Sequence, residues 1–318
     1  MVKAAWLRYP EIYPKLTAVQ ARLKTASQLR VPAVNARVQA QINAGGKMLR
    51  SGLMFMLARF HDLDNPSLVA AGAAIETLHL ATLIHDDVLD HADRRRGQTT
   101  IQQESGNQAA IYAGDYLFAV YFQLLAEAAP DVANVGRNAR VMRRLLLGEL
   151  DQNAVRRDHP ITIHQYLRQI SGKTAALFEL AAWQGATLSG ATAAECHAAA
   201  RYGHAVGMAF QMTDDLLDYT TTAGKPGLED LQNGIYTLPV LYALAQAPEL
   251  QPVILAARTD ETARTAAAAQ IRQLGLPQAQ DLAARYTAKA MVTLQTFPAG
   301  QPRSDLMNLT QALLTRQQ

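Results

Sequence analysis

Apolar residues recur at three- and four-residue spacing through nearly the whole chain, and no run alternates as a half-buried strand would. The pattern predicts helices that stop where proline or glycine interrupts it. Those points lie near Pro10 to Pro14, Pro32, Gly45-Gly46, Asn65-Pro66, Ala129-Pro130, His159-Pro160, Gly172, Gly190, Gly224 to Gly227, Pro248 to Pro252, Gly275 to Pro277 and Pro298 to Pro302. Roughly a dozen helices result, several longer than the ~11-residue average. No low-complexity segment divides the series, so residues 1–318 are expected to form one domain, an all-α helical bundle.

Composition agrees with a helical chain: 49% of residues are hydrophobic, but only 6% are aromatic, and Ala and Leu dominate. The net charge of +3 is too mild to argue for nucleic acid. The single cysteine, Cys196, excludes an internal disulfide and fits a reducing cytoplasm, the expected location. The N-terminal residues lack the apolar core of a signal peptide. Glu76 and His79 break the apolar run from Leu68 to Ile84, so no transmembrane helix is expected.

The chemistry concentrates in an acidic pattern that occurs twice. Asp86-Asp87-x-x-Asp90 ends an apolar segment and is followed by Arg94-Arg95-Arg96-Gly97. In a helix Asp86 and Asp90 share a face, with Thr82 and His79 on the same stripe. Like charges at that spacing repel, and acidic oxygens so placed suit a hard divalent ion such as Mg²⁺ bound with substrate phosphates. The second copy is Phe210-Gln211-x-x-Asp214-Asp215-x-x-Asp218, trailed by Gly224-Lys225. Two such patterns, each beside cations, imply metal sites that share a diphosphate.

Other positions admit two readings. Gly45-Gly46-Lys47-x-x-Arg50 is either loop punctuation or a set of N–H groups and cations for an anion. His79 is either a satisfied core histidine or a basic neighbour of a phosphate site. Glu76-x-x-His79 matches half of a di-iron signature, but the second Glu-x-x-His is missing from the sequence, and that reading falls. Gly114-Asp115-Tyr-Leu places a glycine where close helix packing explains it. Glu149 and Gln152 share a face that is either a polar lining or solvent-exposed. Lys173 stands at the Gly172 interruption between apolar helices, where a lysine is costly unless it meets an anion.

In order along the chain these residues resemble the trans-polyprenyl diphosphate synthases, most closely over about residues 40–245, and the local sequence around Asp86 looks like the medium- and long-chain quinone side-chain enzymes. The resemblance implies an all-α bundle around a deep central cavity, usually a homodimer, and sometimes a heteromer with a small non-catalytic subunit. It implies that Asp86, Asp90 and Asp214, supported by Asp87, Asp215 and Asp218, hold Mg²⁺ ions, three with substrate bound. Arg95, Lys173, Thr174, Gln211 and Lys225 would contact the allylic diphosphate, and Lys47, Arg50, His79 and Arg96 isopentenyl diphosphate. Ile235 stands where the family often has a lysine. Short-chain members tend to place an aromatic floor just before the first acidic motif; Ala81 and Thr82 leave that path open, with Leu78 the next candidate stop.

The expected reaction is Mg²⁺-dependent ionisation, condensation and elimination, yielding a medium- or long-chain all-trans polyprenyl diphosphate. The alternatives are a farnesyl- or geranylgeranyl-length synthase, a terpene cyclase, or a non-catalytic prenyl-binding subunit. A cyclase has no use for Lys47, Arg50 and Arg96 together. A non-catalytic subunit has no reason to keep costly carboxylates.

Overall fold

The computed structural model describes residues 4–154, 159–220 and 228–314. After a 3₁₀ turn at Ala4–Arg8, the described helices are α1 (Ile12–Ala26), α2 (Pro32–Ala44), α3 (Leu49–Ala58), α4 (Ser67–Leu89), α5 (Ile101–Ser105), α6 (Asn107–Ala128), α7 (Val132–Ala154) and α8 (Ile163–Ile170). They continue through α9 (Ala176–Leu188), α10 (Ala193–Thr220), α11 (Glu229–Gln232), α12 (Leu238–Gln246), α13 (Gln251–Ala256), α14 (Glu261–Leu274), α15 (Leu276–Leu294) and α16 (Gln301–Leu314). The fold is all-α, as expected.

Most predicted breaks fall where these helices end. Pro14, Pro252, Pro277 and Pro302 lie just inside α1, α13, α15 and α16, because a proline in the first turn gives up an N–H that has no partner there anyway. Gly172 is an exception of another kind. It sits in a π-helical turn, Ser171–Ala175, that joins α8 to α9 without stopping the helix. The predicted break at Gly224 to Gly227 lies outside the described residues.

The only strands among the described residues form a short hairpin. Arg94–Arg95 pairs antiparallel with Gln98–Thr99 across Arg96-Gly97. Both turn residues have positive φ (52° and 77°), as a two-residue type I′ turn requires. Glycine accepts that backbone freely; Arg96 does not, and is strained.

The chain divides into two compact units, with boundaries inside α7, α9 and α10. In the first (residues 1–139 and 181–199), α4 packs along α6 and against α1 and α3. Leu80, Ala81 and Ile84 of α4 meet Val38 and Ile42 of α2 and Ala110, Ala113 and Leu117 of α6 in one apolar cluster. By length and composition α4 and α6 could each cross a membrane. Most of α4 is buried inside the fold, as expected of a core helix. Gly114 does serve close packing: a Cβ there would lie 2.3 Å from His85 Nε2.

In the second unit (residues 140–180 and 200–318), Tyr166, Ile170, Met208, Met212, Leu216 and Tyr219 share a core with α12 and α14. Gly275, between α14 and α15, lies directly against α12. A Cβ on it would stand 1.9 Å from Pro239 O and 2.9 Å from Ala243 N, backbone atoms with little room to retreat. Gly275→Ala is therefore expected to cost about 3 kcal/mol, seen as a lower urea midpoint at unchanged m-value.

Candidate active site

The first acidic pattern closes α4. Asp86 and Asp87 occupy its last turn, and Asp90 is the C-cap, its N–H bonded to Asp86 O at 2.8 Å. The helical turn separates their environments. Asp86 is half-buried and Asp90 exposed, whereas Asp87 is 2% exposed. The hairpin returns Arg95 to this point, and its Nε donates to Asp87 Oδ1 at 2.5 Å. Burial raises the Asp87 pKa and the Arg95 contact opposes it. Asp87 Oδ2 is buried and accepts no hydrogen bond.

Arg50, Arg95 and Arg96 gather around His79, two helical turns before Asp86 on α4. Arg96, on the hairpin turn, lies against Gly46, where a Cβ would stand 3.3 Å from its Nη1. Met48, just before α3, is left-handed (φ 46°), and Lys47 O accepts from Trp6 Nε1 at 2.8 Å. Glu76 ties α3 to α4, accepting from Ser51 Oγ at 2.7 Å and Ser51 N at 3.2 Å. His79 keeps some exposed surface, yet burial chiefly, then Arg50, Arg96 and Arg95, hold its pKa well below 6.5. It is a neutral imidazole among guanidinium groups. Thr82 turns inward and donates to His79 O at 2.8 Å; Leu78 and Ala81 are fully buried.

In the second unit the pattern recurs near the end of α10. Asp214 and Asp218 are half-buried and Asp215 is 6% exposed. Tyr166 Oη donates to Asp215 Oδ2 at 2.6 Å, and Gln211 Nε2 to Asp215 Oδ1 at 2.8 Å. Burial, with Asp230 and Asp214 adding repulsion, outweighs both bonds and pushes this carboxyl up to about 7. Gln211 Oε1 in turn accepts from Thr174 Oγ1 at 2.7 Å. Lys173 Nζ lies 3.1 Å from Glu149 Oε2 and 3.2 Å from Gln152 Oε1. Glu149 and Gln152 thus have a shared task, holding the lysine. Lys225 lies outside the described residues, and Ile235 donates its N–H to Asp230 O at 2.8 Å.

Residues 31–274 match the family model described as polyprenyl synthetase. The chain is 36% identical to heptaprenyl diphosphate synthase component 2 of Geobacillus stearothermophilus over 95% of both sequences. The chain belongs to the polyprenyl synthetase family. Proteins of this kind are trans-prenyltransferases.

The synthetase superposes on geranylgeranyl pyrophosphate synthase from Lactobacillus brevis with a TM-score of 0.93 and 38% identity, covering 98% of this chain and 99% of that one. A polyprenyl synthase from Caulobacter crescentus, solved with calcium and isoprenyl diphosphate, gives a TM-score of 0.86 at 33% identity, covering 96% and 95%. The family is Mg²⁺-dependent in general. Among the described residues no three acidic, histidine or cysteine side chains converge to hold an ion by themselves. The donor set still fits Mg²⁺, which takes one or two carboxylates and completes its shell with water and substrate phosphate. Tyr166 and Ser51 carry no mark of site residues in the sequence of this synthetase, and Glu76 carries only the half-signature for di-iron that falls; its tie to Ser51 is a structural finding. All three lie outside the acidic and basic patterns, and only the fold shows what they touch.

Proposed function

We propose that this protein condenses isopentenyl diphosphate with an allylic diphosphate and releases a medium- or long-chain all-trans polyprenyl diphosphate. The observation that carries the reading is the repeated acidic pattern in a chain of this family: each copy buries its second aspartate on a protein partner and leaves its first and last more open. Asp86, Asp90, Asp214 and Asp218 would then hold the ions, three with substrate bound, while Asp87 and Asp215 would brace them. When bound, magnesium would supply positive charge to offset that of the departing diphosphate. Lys173, Thr174, Gln211, Arg95 and Lys225 hold the allylic diphosphate, and Lys47, Arg50, Arg96 and neutral His79 the isopentenyl one. Once the new carbon–carbon bond has formed, a proton leaves to the released diphosphate.

The enzyme works in the cytoplasm as a homodimer or with a small partner. The name of the Geobacillus relative, component 2, supports a partnered form, and Ile111, Tyr112 and Phe122 of α6 expose apolar surface suited to a subunit contact. The test is incubation with isopentenyl diphosphate, farnesyl diphosphate and Mg²⁺, with product lengths separated by chromatography. Ala81 is fully buried in the apolar cluster with α2 and α6, where a phenyl ring would overpack at a cost of about 1–3 kcal/mol and, if the allylic tail runs along α4, would stop it early. Ala81→Phe should therefore accumulate farnesyl or geranylgeranyl diphosphate. A folded, active variant with the wild-type product would place the tail elsewhere. A wild-type product no longer than geranylgeranyl would move the assignment to the shorter reaction named for the Lactobacillus enzyme.

A further inference from the structure

One polar pair in the second unit has no part in the chemistry above. Ser171 Oγ and His204 Nε2 share a half-buried hydrogen bond of 3.1 Å. Ser171 opens the π-helical turn, and its carbonyl accepts the N–H of Ala176, the five-residue bond that defines such a turn. A π turn carries one extra residue, which rotates the downstream helix by about 100° relative to an unbroken α-helix. The rotation falls where Lys173 meets Glu149 and Gln152, and where Thr174 meets Gln211.

So irregular a turn needs support from its neighbours. A Cβ on Gly172 would stand 2.9 Å from Arg144 O and 3.1 Å from Gly148 Cα, so α7 closes on the turn backbone to backbone. A Cβ on Gly207 would stand 2.6 Å from Ala175 Cα, so α10 does the same. These contacts fix the distance of approach but leave the rotation of the turn to directional bonds. α10 supplies two of them from one face, Gln211 to Thr174 and, two helical turns earlier, His204 to Ser171. Burial lowers the His204 pKa; nearby Glu179 opposes this, and Arg144 and Lys289 reinforce it. A neutral imidazole can make this bond without bringing a charge into the packed interface.

We propose that His204, acting through Ser171, is a positioning residue that fixes the register of the π turn and so aims Lys173 at the allylic diphosphate. The proposal rests on the allylic role given to Lys173 under the proposed function. Its test titrates farnesyl and isopentenyl diphosphate separately for His204→Ala, Ser171→Ala, the double variant, His204→Gln and Ser171→Thr, with Lys173→Ala as reference. Calorimetric binding of farnesyl diphosphate with Mg²⁺ but without the second substrate gives a readout independent of turnover. Each alanine variant should weaken farnesyl diphosphate about ten-fold while isopentenyl diphosphate stays within about two-fold. The double variant should be no worse than either single one, and glutamine or threonine should restore most of the affinity.

Unchanged farnesyl diphosphate affinity in His204→Ala, with Lys173→Ala impaired, overturns the positioning role alone. Equal weakening of both substrates in step with a lower melting temperature overturns it as well, because that is the mark of a merely structural bond. Normal allylic binding by Lys173→Ala removes the assigned role of Lys173, and the proposal with it.

Discussion

Asp86→Ala and Asp214→Ala are each expected to lower turnover by roughly 10²–10³-fold or more, the loss typical when one group that stabilises developing charge is removed. Helical content should hold, because both side chains are half-buried near helix ends rather than packed in a core. Circular dichroism at the helix band checks the fold, and steady-state rates at saturating substrate check the chemistry. Excess chelator should reproduce the loss in the wild type. Full turnover in chelator, or in either variant, would remove the metal assignment.

The second large effect concerns pH and the buried aspartate of α10. Asp215 titrates at about 7 in the folded chain, against about 3.9 in an unfolded one. Between those values the folded protein keeps a proton that the unfolded chain has lost. The stability tied to this group is therefore complete below about pH 4 and is lost as pH rises through 7. The linked free energy is on the order of 4 kcal/mol, about three pH units at 1.36 kcal/mol each. Asp215→Asn cannot titrate, and its amide oxygen can still accept from Tyr166 or Gln211. In metal-free buffer its stability relative to wild type should climb between pH 5 and 8.5, read from paired urea titrations. A constant difference across that range would show that Asp215 is ionised throughout.

Much of this is legible in the sequence because it depends on local chemistry. Helical periodicity and proline positions locate most helices. The two acidic patterns stand out because charge placed on apolar segments is rare. The rest depends on what meets what in space. Gly172 reads as a stop because glycine is a poor helix former, yet close packing against Gly148 makes glycine necessary within a continuing helix. Asp87 and Asp215 look equivalent to their neighbours in a string of carboxylates. A turn of 100° per residue sends them inward, to Arg95 and to Tyr166 with Gln211. Tyr166 is 49 residues from its partner and carries no local signal. Arg96 reads as a cation, but its positive φ shows a residue kept at a backbone position that would suit glycine better.

The placement of the acidic patterns has a thermodynamic side. α4 ends on its carboxylates, α10 carries three of them within its last two turns, and neither helix has a basic residue in its last turn. The C-terminus of a helix already carries about half a negative charge from its aligned peptide dipoles. Each helix is therefore loaded at its tip with charge of the wrong sign, and the folded chain without cations holds electrostatic tension at two places. Cations bound at these carboxylates, as proposed, would relax that tension, and substrate capture would then draw on free energy already stored when the chain folded.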